Sequence, residues 1–239
     1  MISLMKDILF LLVIFGTNTI NTITGFAGTL LAMPASILLI GIDEAKTILN
    51  IITLMTGVIM AFQNRQWINR KEFIRIIIFM FTSMILGIKL YEILPLKLML
   101  TGYGVLILCI SLKGLFIKKK FKVYNLFMSL ILIAAGIIHG IFLSGGSLLV
   151  VYASSKFNDK KEFRATLAPV WIILSSFMLV DHMNKGFITK NMIILFVISI
   201  IPVIFGTVWG NYLHDKIDQS LFMKFTYSLL GISGLLILF

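Results

Sequence analysis

Apolar residues occupy this chain in ten stretches separated by short charged or glycine-containing breaks, a pattern that no soluble fold accommodates. The stretches run roughly over 8–23, 26–41, 45–62, 72–90 and 96–116, then over 122–142, 145–155, 162–180, 190–210 and 219–239. With 59% hydrophobic and 13% charged residues and a mean hydropathy of +1.04, a soluble domain of 239 residues would expose more apolar surface than water tolerates. The expected class is therefore an all-α, polytopic transmembrane helical bundle. Lys6 precedes the first stretch as in a signal peptide, but no small-x-small cleavage site follows, so this stretch is expected to belong to the mature fold.

Two of the ten stretches are too short. A helix needs ~20 residues to cross the hydrocarbon core, and the run from Gly145 has about half that before Lys156 and Asn158 return it to water. The run from Phe26 to Ile40 is also short, and Pro34 is expected to weaken a continuous helix there. Aligning Gly28-Thr29-Leu30-Leu31 with Gly146-Ser147-Leu148-Leu149 places these runs 118 positions apart, about half the chain. The same alignment pairs Glu44 with Glu162, Lys46 with Arg164 and Asn21 with His139, and a shift of one more residue pairs Gly87 with Gly206. The chain reads as two repeats, 1–117 and 118–239, joined at the basic run 118–122.

Charge gives the expected topology. If each short stretch returns the chain to the side its predecessor left, fifteen Lys and Arg fall on one face and six on the other. The positive-inside rule puts the richer face in the cytoplasm and both termini outside. Three single crossings then separate the repeats, which makes their topologies inverted, each with a short broken or re-entrant half-helix pair. The net charge of +11 lies in loops rather than on one face, which fits a lipid bilayer and not nucleic acid. Cys109 stands alone and His139, His182 and His214 lack metal-site spacing, so no metal, cofactor or disulfide is expected.

A half-helix that begins inside the membrane aims unpaired N–H groups and a partial positive charge at whatever lies there, which is an anion site. Gly28-Thr29 and Gly146-Ser147 would open two such half-helices. The expected substrate-binding set is Asn18, Asn21, Thr22, Thr24, Gly25, Gly28 and Thr29 from the first break, with His139, Ser144, Gly145, Gly146 and Ser147 from the second. His139, in the apolar middle of its stretch, would donate to an anion, carry a coupling proton, or bond between helices. Gly136/Gly140 and Gly206/Gly210 fit the small-x-x-x-small pattern and are expected to pack helices instead. Asn50, Thr53, Thr56, Thr166, Ser175 and Ser176 would line a pathway or bond between helices, and Arg164 would attract anions at the cytoplasmic mouth, although Glu162 nearby favours an ordinary solvated helix start. No Asp or Glu sits deep in a stretch, which disfavours a cation pump and favours an anionic or neutral substrate.

These residues resemble the sulfite exporter TauE/SafE family of membrane permeases. The likeness rests on Gly25-Phe26-Ala27-Gly28 leading to Met33-Pro34, on Ser144-Gly145-Gly146, and on the repeat tails Gly87-Ile88-Lys89-Leu90 and Gly206-Thr207-Val208-Trp209-Gly210. The resemblance implies transport of a small sulfur-containing anion, of the sulfite, thiosulfate or organosulfonate type, across the cell membrane. Its expected partners are that anion, the bilayer, a coupling proton or sodium ion, and a second copy in a homo-oligomer. Competing readings are a carrier of another small anion or a neutral solute, an intramembrane serine hydrolase using Ser144 or Ser147 with His139, and a membrane scaffold. The hydrolase is disfavoured because five residues along a helix put His139 and Ser144 on different faces, so no catalytic residue is expected.

Overall fold

A computed structural model describes residues 2–116, 125–157 and 159–214, together with Lys216 and eight positions between 224 and 238. Among these residues the chain is helical, with no strand. In order come α1 (Ile2–Thr24), α2 (Ala27–Ile40), α3 (Ile42–Asn64), α4 (Arg70–Ile93), α5 (Leu96–Phe116), α6 (Asn125–Phe142), α7 (Gly146–Lys156), α8 (Lys160–Asn184) and α9 (Lys190–His214). The basic junction 118–122 lies outside the described residues, and the tenth stretch, 219–239, is described only at scattered positions.

Six of these helices are long and apolar enough to cross a membrane, namely α1, α3, α4, α5, α8 and α9. The chain is a multi-pass membrane protein. Helix α7 has 11 residues, about 16 Å at 1.5 Å per residue, or roughly half the hydrocarbon thickness. Helix α2 is continuous through Pro34, contrary to the expectation of a weakened helix. One lost backbone bond is outweighed there by close packing of Leu30, Leu31, Ala32, Met33 and Pro34 itself against neighbouring helices. Polar caps set other boundaries: Asn69 Oδ1 accepts from Glu72 N at the start of α4, and Asp159 Oδ1 accepts from Lys161 N at the start of α8. Between α2 and α3 the chain reverses at Gly41, whose φ of 86° is open to glycine but strained for other residues.

The main packing pairs are α1 with α9, α4 with α6, and α3 with α8; α4 also touches α8, α3 touches α9, and α2 touches α7. Lipid is as apolar as leucine, so helices must be held together by close approach rather than by exclusion from water. Small residues provide that approach here. A methyl group on Gly87 would overlap the Ile137 carbonyl, and one on Gly136 or Gly140 would overlap the carbonyls of Met80 or Met84. On α9, a Cβ at Gly206 would lie 2.9 Å from Phe15 O and one at Gly210 2.7 Å from Thr19 O. Both small-x-x-x-small pairs are packing contacts. Along α9 the buried residues Met192, Ser199, Val203, Gly206 and Gly210 form one stripe, while Ile201, Ile204, Phe205, Val208 and Trp209 are exposed on the lipid side.

Lys185, just beyond α8, pairs with Glu92 at 2.5 Å and Asp181 at 2.9 Å, which ties the ends of α8 and α4 together. Burial works against its charge, but the hydrogen bonds to Glu92 and Asp181 outweigh burial and raise its pKa. A raised lysine stabilises the fold while protonated, fully below the ordinary lysine range, and this contribution is lost as pH climbs through the raised value. Thermal unfolding in detergent should therefore weaken along the alkaline limb, and Lys185→Met should flatten that limb. In the same assay Gly87→Ala should cost about 1–3 kcal/mol by overpacking, while Gly102→Ala, which meets open space, should not destabilise.

Candidate functional site

The first break is held by its own side chains. Helix α1 ends at Thr24, Gly25 turns with φ 82°, and Gly25 N donates to Asn21 O at 2.6 Å. Thr24 Oγ1 accepts from Ala27 N at 3.2 Å and Phe26 N at 3.4 Å, and Asn21 Oδ1 accepts from Gly28 N at 3.2 Å. Several of the amides expected to face a ligand are therefore engaged within the break. Any side chain on Gly28 would overlap Asn21, so glycine is required for this bond. From α8, Trp171 Nε1 donates to Gly25 O at 2.9 Å.

At the second break, Leu143 takes φ 56°, a left-handed conformation that costs a leucine about 1–3 kcal/mol. Ser144 Oγ donates to Phe142 O at 2.9 Å and accepts from Tyr103 Oη of α5 at 2.6 Å. Ser147 Oγ donates back to Ser144 O at 3.0 Å, and Gly145 lies so close to the Ala135 carbonyl that no side chain would fit. The two breaks meet. Thr29 Oγ1 donates to Leu143 O at 2.9 Å, and a Cβ on Gly146 would lie 2.8 Å from Phe26 O.

A narrow recess opens beside this junction, with a cavity volume of about 10 Å³. Asn18, Asn21, Gly28 and Thr29 line it, joined by Thr17 of α1 and Thr53 of α3 and closed by Ile14, Ala32, Leu49 and Ile52. That volume holds one water at most. Of the other predicted residues, Thr22 faces Gly210, Thr24 and Gly25 shape the turn, and Ser144, Gly145, Gly146 and Ser147 build the second break; none of these lines the recess. His139 lies outside it too, stacked on Trp171 at 5.5 Å with both ring nitrogens unpartnered.

Buried polar atoms with no protein partner surround the breaks: Asn18 Oδ1, Thr22 Oγ1, Asn50 Oδ1, Ser175 Oγ and the His139 nitrogens. Each costs about 1–3 kcal/mol unless water or solute reaches it. Asn18 Nδ2 does bond across to α9, at 2.8 Å from Val203 O and 2.9 Å from Thr207 Oγ1, and Asn50 Nδ2 bonds Ser175 O at 2.9 Å. Thr56 bonds its own helix, and Thr166 accepts from Asn69 N at the helix start. Arg164 corrects the sequence reading. It is 6% exposed, packs beside Gly25 and donates to Asn211 Oδ1 at 2.8 Å, because α9 and the first break cover the helix start that Glu162 seemed to place in solvent.

Tyr103 and Trp171 were not among the residues singled out in the sequence. Tyr103 sits between Gly102 and Gly104 in an otherwise apolar run, a polar-tipped ring that would need a partner in lipid. His139 makes no hydrogen bond to Ser144 or Ser147, and among the described residues no cluster of His, Cys, Asp or Glu could hold a metal.

The family model described as Sulfite exporter TauE/SafE matches residues 9–237. The chain belongs to this family. No curated protein and no solved structure matches it. TauE/SafE membership and six spanning helices make the chain a multi-pass membrane transporter of the sulfite-exporter kind.

The capping of α2 can be tested directly. Thr24→Val keeps the side-chain shape but leaves the Ala27 amide without its acceptor; the expected cost is about 1 kcal/mol in thermal unfolding. An unchanged midpoint would show that water replaces the hydroxyl.

Proposed function

We propose that this chain is a secondary carrier for a small sulfur-containing anion, such as sulfite, thiosulfate or a short organosulfonate, in the inner (cytoplasmic) membrane, with both termini outside. Transport proceeds by alternating access around the paired half-helices. The observation that carries this reading is Asn21: it lines the recess, its Oδ1 is pinned by Gly28 N, and among the described residues no acceptor holds its Nδ2. An amide fixed in that way is a preorganised donor to an oxyanion. Thr17 and Thr53 add to it, since their hydroxyls donate to carbonyls four residues back, at 2.6 Å and 2.8 Å, that helical bonds already serve. Rotating either hydroxyl toward a solute costs little.

The inverted repeat draws support from packing. Exchanging the halves turns α1 on α9 into α6 on α4 and α4 on α8 into α9 on α3, and leaves α3 on α8 and α2 on α7 unchanged. Within α3 and α8, Asn50 bonds Ser175 while Gly57 approaches Ala168, and the two pairs are equivalent under the shift of 118 positions. The narrow recess fits a closed stage of the cycle, widening as one repeat moves against the other.

Liposomes containing the purified protein should accumulate labelled sulfite, thiosulfate or a short sulfonate in preference to chloride, and whichever imposed gradient, of pH or of sodium, drives uptake names the coupling ion. Gly146→Leu, which drives a side chain into Phe26 O, should abolish uptake, and Gly16→Ala, which meets open space, should leave it unchanged. Asn21→Leu should raise KM about tenfold or more, the equivalent of one hydrogen bond to a charged group. If folded protein moves none of these anions, the anion reading fails and a neutral solute or a scaffold takes its place.

A further inference from the structure

The first half has a buried cation that the recess does not use. Lys46, the fifth residue of α3, is 2% exposed, and its Nζ sits 3.5 Å from the centroid of the Tyr91 ring. A ring face offers a cation attraction but no hydrogen-bond acceptor. Among the described residues no carboxylate lies within salt-bridge distance of Lys46. The nearby acids are engaged elsewhere: Asp43 accepts from Tyr91 Oη at 2.7 Å, and Glu92 and Asp181 are held by Lys185. Among the described residues the ammonium's three donors have no protein acceptor.

His182, near the end of α8, is fully buried with both ring nitrogens unpartnered. Helices α3 and α8 pack together with Asn50 bonded to Ser175, and from that pair Lys46 lies one turn and His182 two turns toward the end of the bundle where Lys185 holds Glu92 and Asp181. Under the topology above, that end faces outward.

We infer that Lys46 and His182 form an anion station on the outer side of the carrier, where a small oxyanion completes the hydrogen bonding of the ammonium and the imidazole before it passes to the central recess. The inference rests on the carrier reading for its role in transport, although the binding site stands independently of it. Arg164 occupies the equivalent position, fifth in α8 and 118 residues on, buried at the opposite end of the inverted topology and reaching α9 as Lys46 reaches α4. Where the Arg164 guanidinium has Asn211 Oδ1 as an acceptor, the Lys46 ammonium faces the Tyr91 ring.

Two measurements separate the site from the carrier. In thermal unfolding at constant ionic strength, sulfite should raise the midpoint of the wild type, and Lys46→Met should lose that response while Lys46→Arg retains part of it. In oriented proteoliposomes, Lys46→Met should raise KM for sulfite on the outer face about tenfold or more, with kcat changed much less. A merely structural lysine would lower the folded fraction or kcat and leave KM alone. If Lys46→Met does not fold, His182→Asn carries the test with the same expected rise in KM. Wild-type KM in the folded variant, with transport intact, overturns the station and spares the carrier. Stabilisation by sulfite that depends on Lys46, in a protein that transports no anion, upholds the station and removes the carrier.

Discussion

A bilayer offers the backbone no water, so every interruption of a helix must be satisfied by protein. This molecule interrupts two of its helical segments and meets the demand by bringing the interruptions together. Thr29 from the first serves Leu143 O in the second, and Gly146 from the second fits against Phe26 O in the first. Trp171 and Tyr103 close the remaining gaps from α8 and α5. The centre is thus polar because it is irregular, and it stays irregular because α5 and α8 supply partners to both breaks.

The surrounding bundle follows from the same constraint. Helices that carry capping residues to a shared centre must approach closely, and glycines at the α4–α6 and α1–α9 crossings permit it. That leaves broad apolar faces, such as Ile201, Ile204, Phe205 and Val208 on α9, free to meet lipid. Polar side chains that the packing does not satisfy, Asn18 Oδ1 and the His139 nitrogens among them, gather around the breaks, where a solute would have to pass.

Much of this was legible in the sequence. Charged punctuation and apolar runs located α3, α4, α5, α8 and α9 to within a few residues, because lipid penalises a misplaced charge heavily. Shortness and glycine marked both breaks. Continuity of α2 through Pro34 was not legible, since burial of its neighbours decides it. Nor was the engagement of the α2 amides: the helix-dipole argument treats them as open, whereas Thr24 and Asn21, both noted as ligand candidates, hold them. Tyr103, Trp171 and the burial of Arg164 depend on contacts across 41, 146 and 47 residues, and no local pattern encodes those distances.

The bond from Asn18 to Val203 spans 185 residues. Translation at about 5–20 residues per second delivers α9 roughly 10–40 s after α1 has emerged. During that interval α1 must wait in the membrane with Asn18 and Thr22 facing lipid, a temporary partner or the insertion machinery. Helix α1 meets α2 at once but α9 only late, so this part of the packing follows the order of biosynthesis as much as the final contacts.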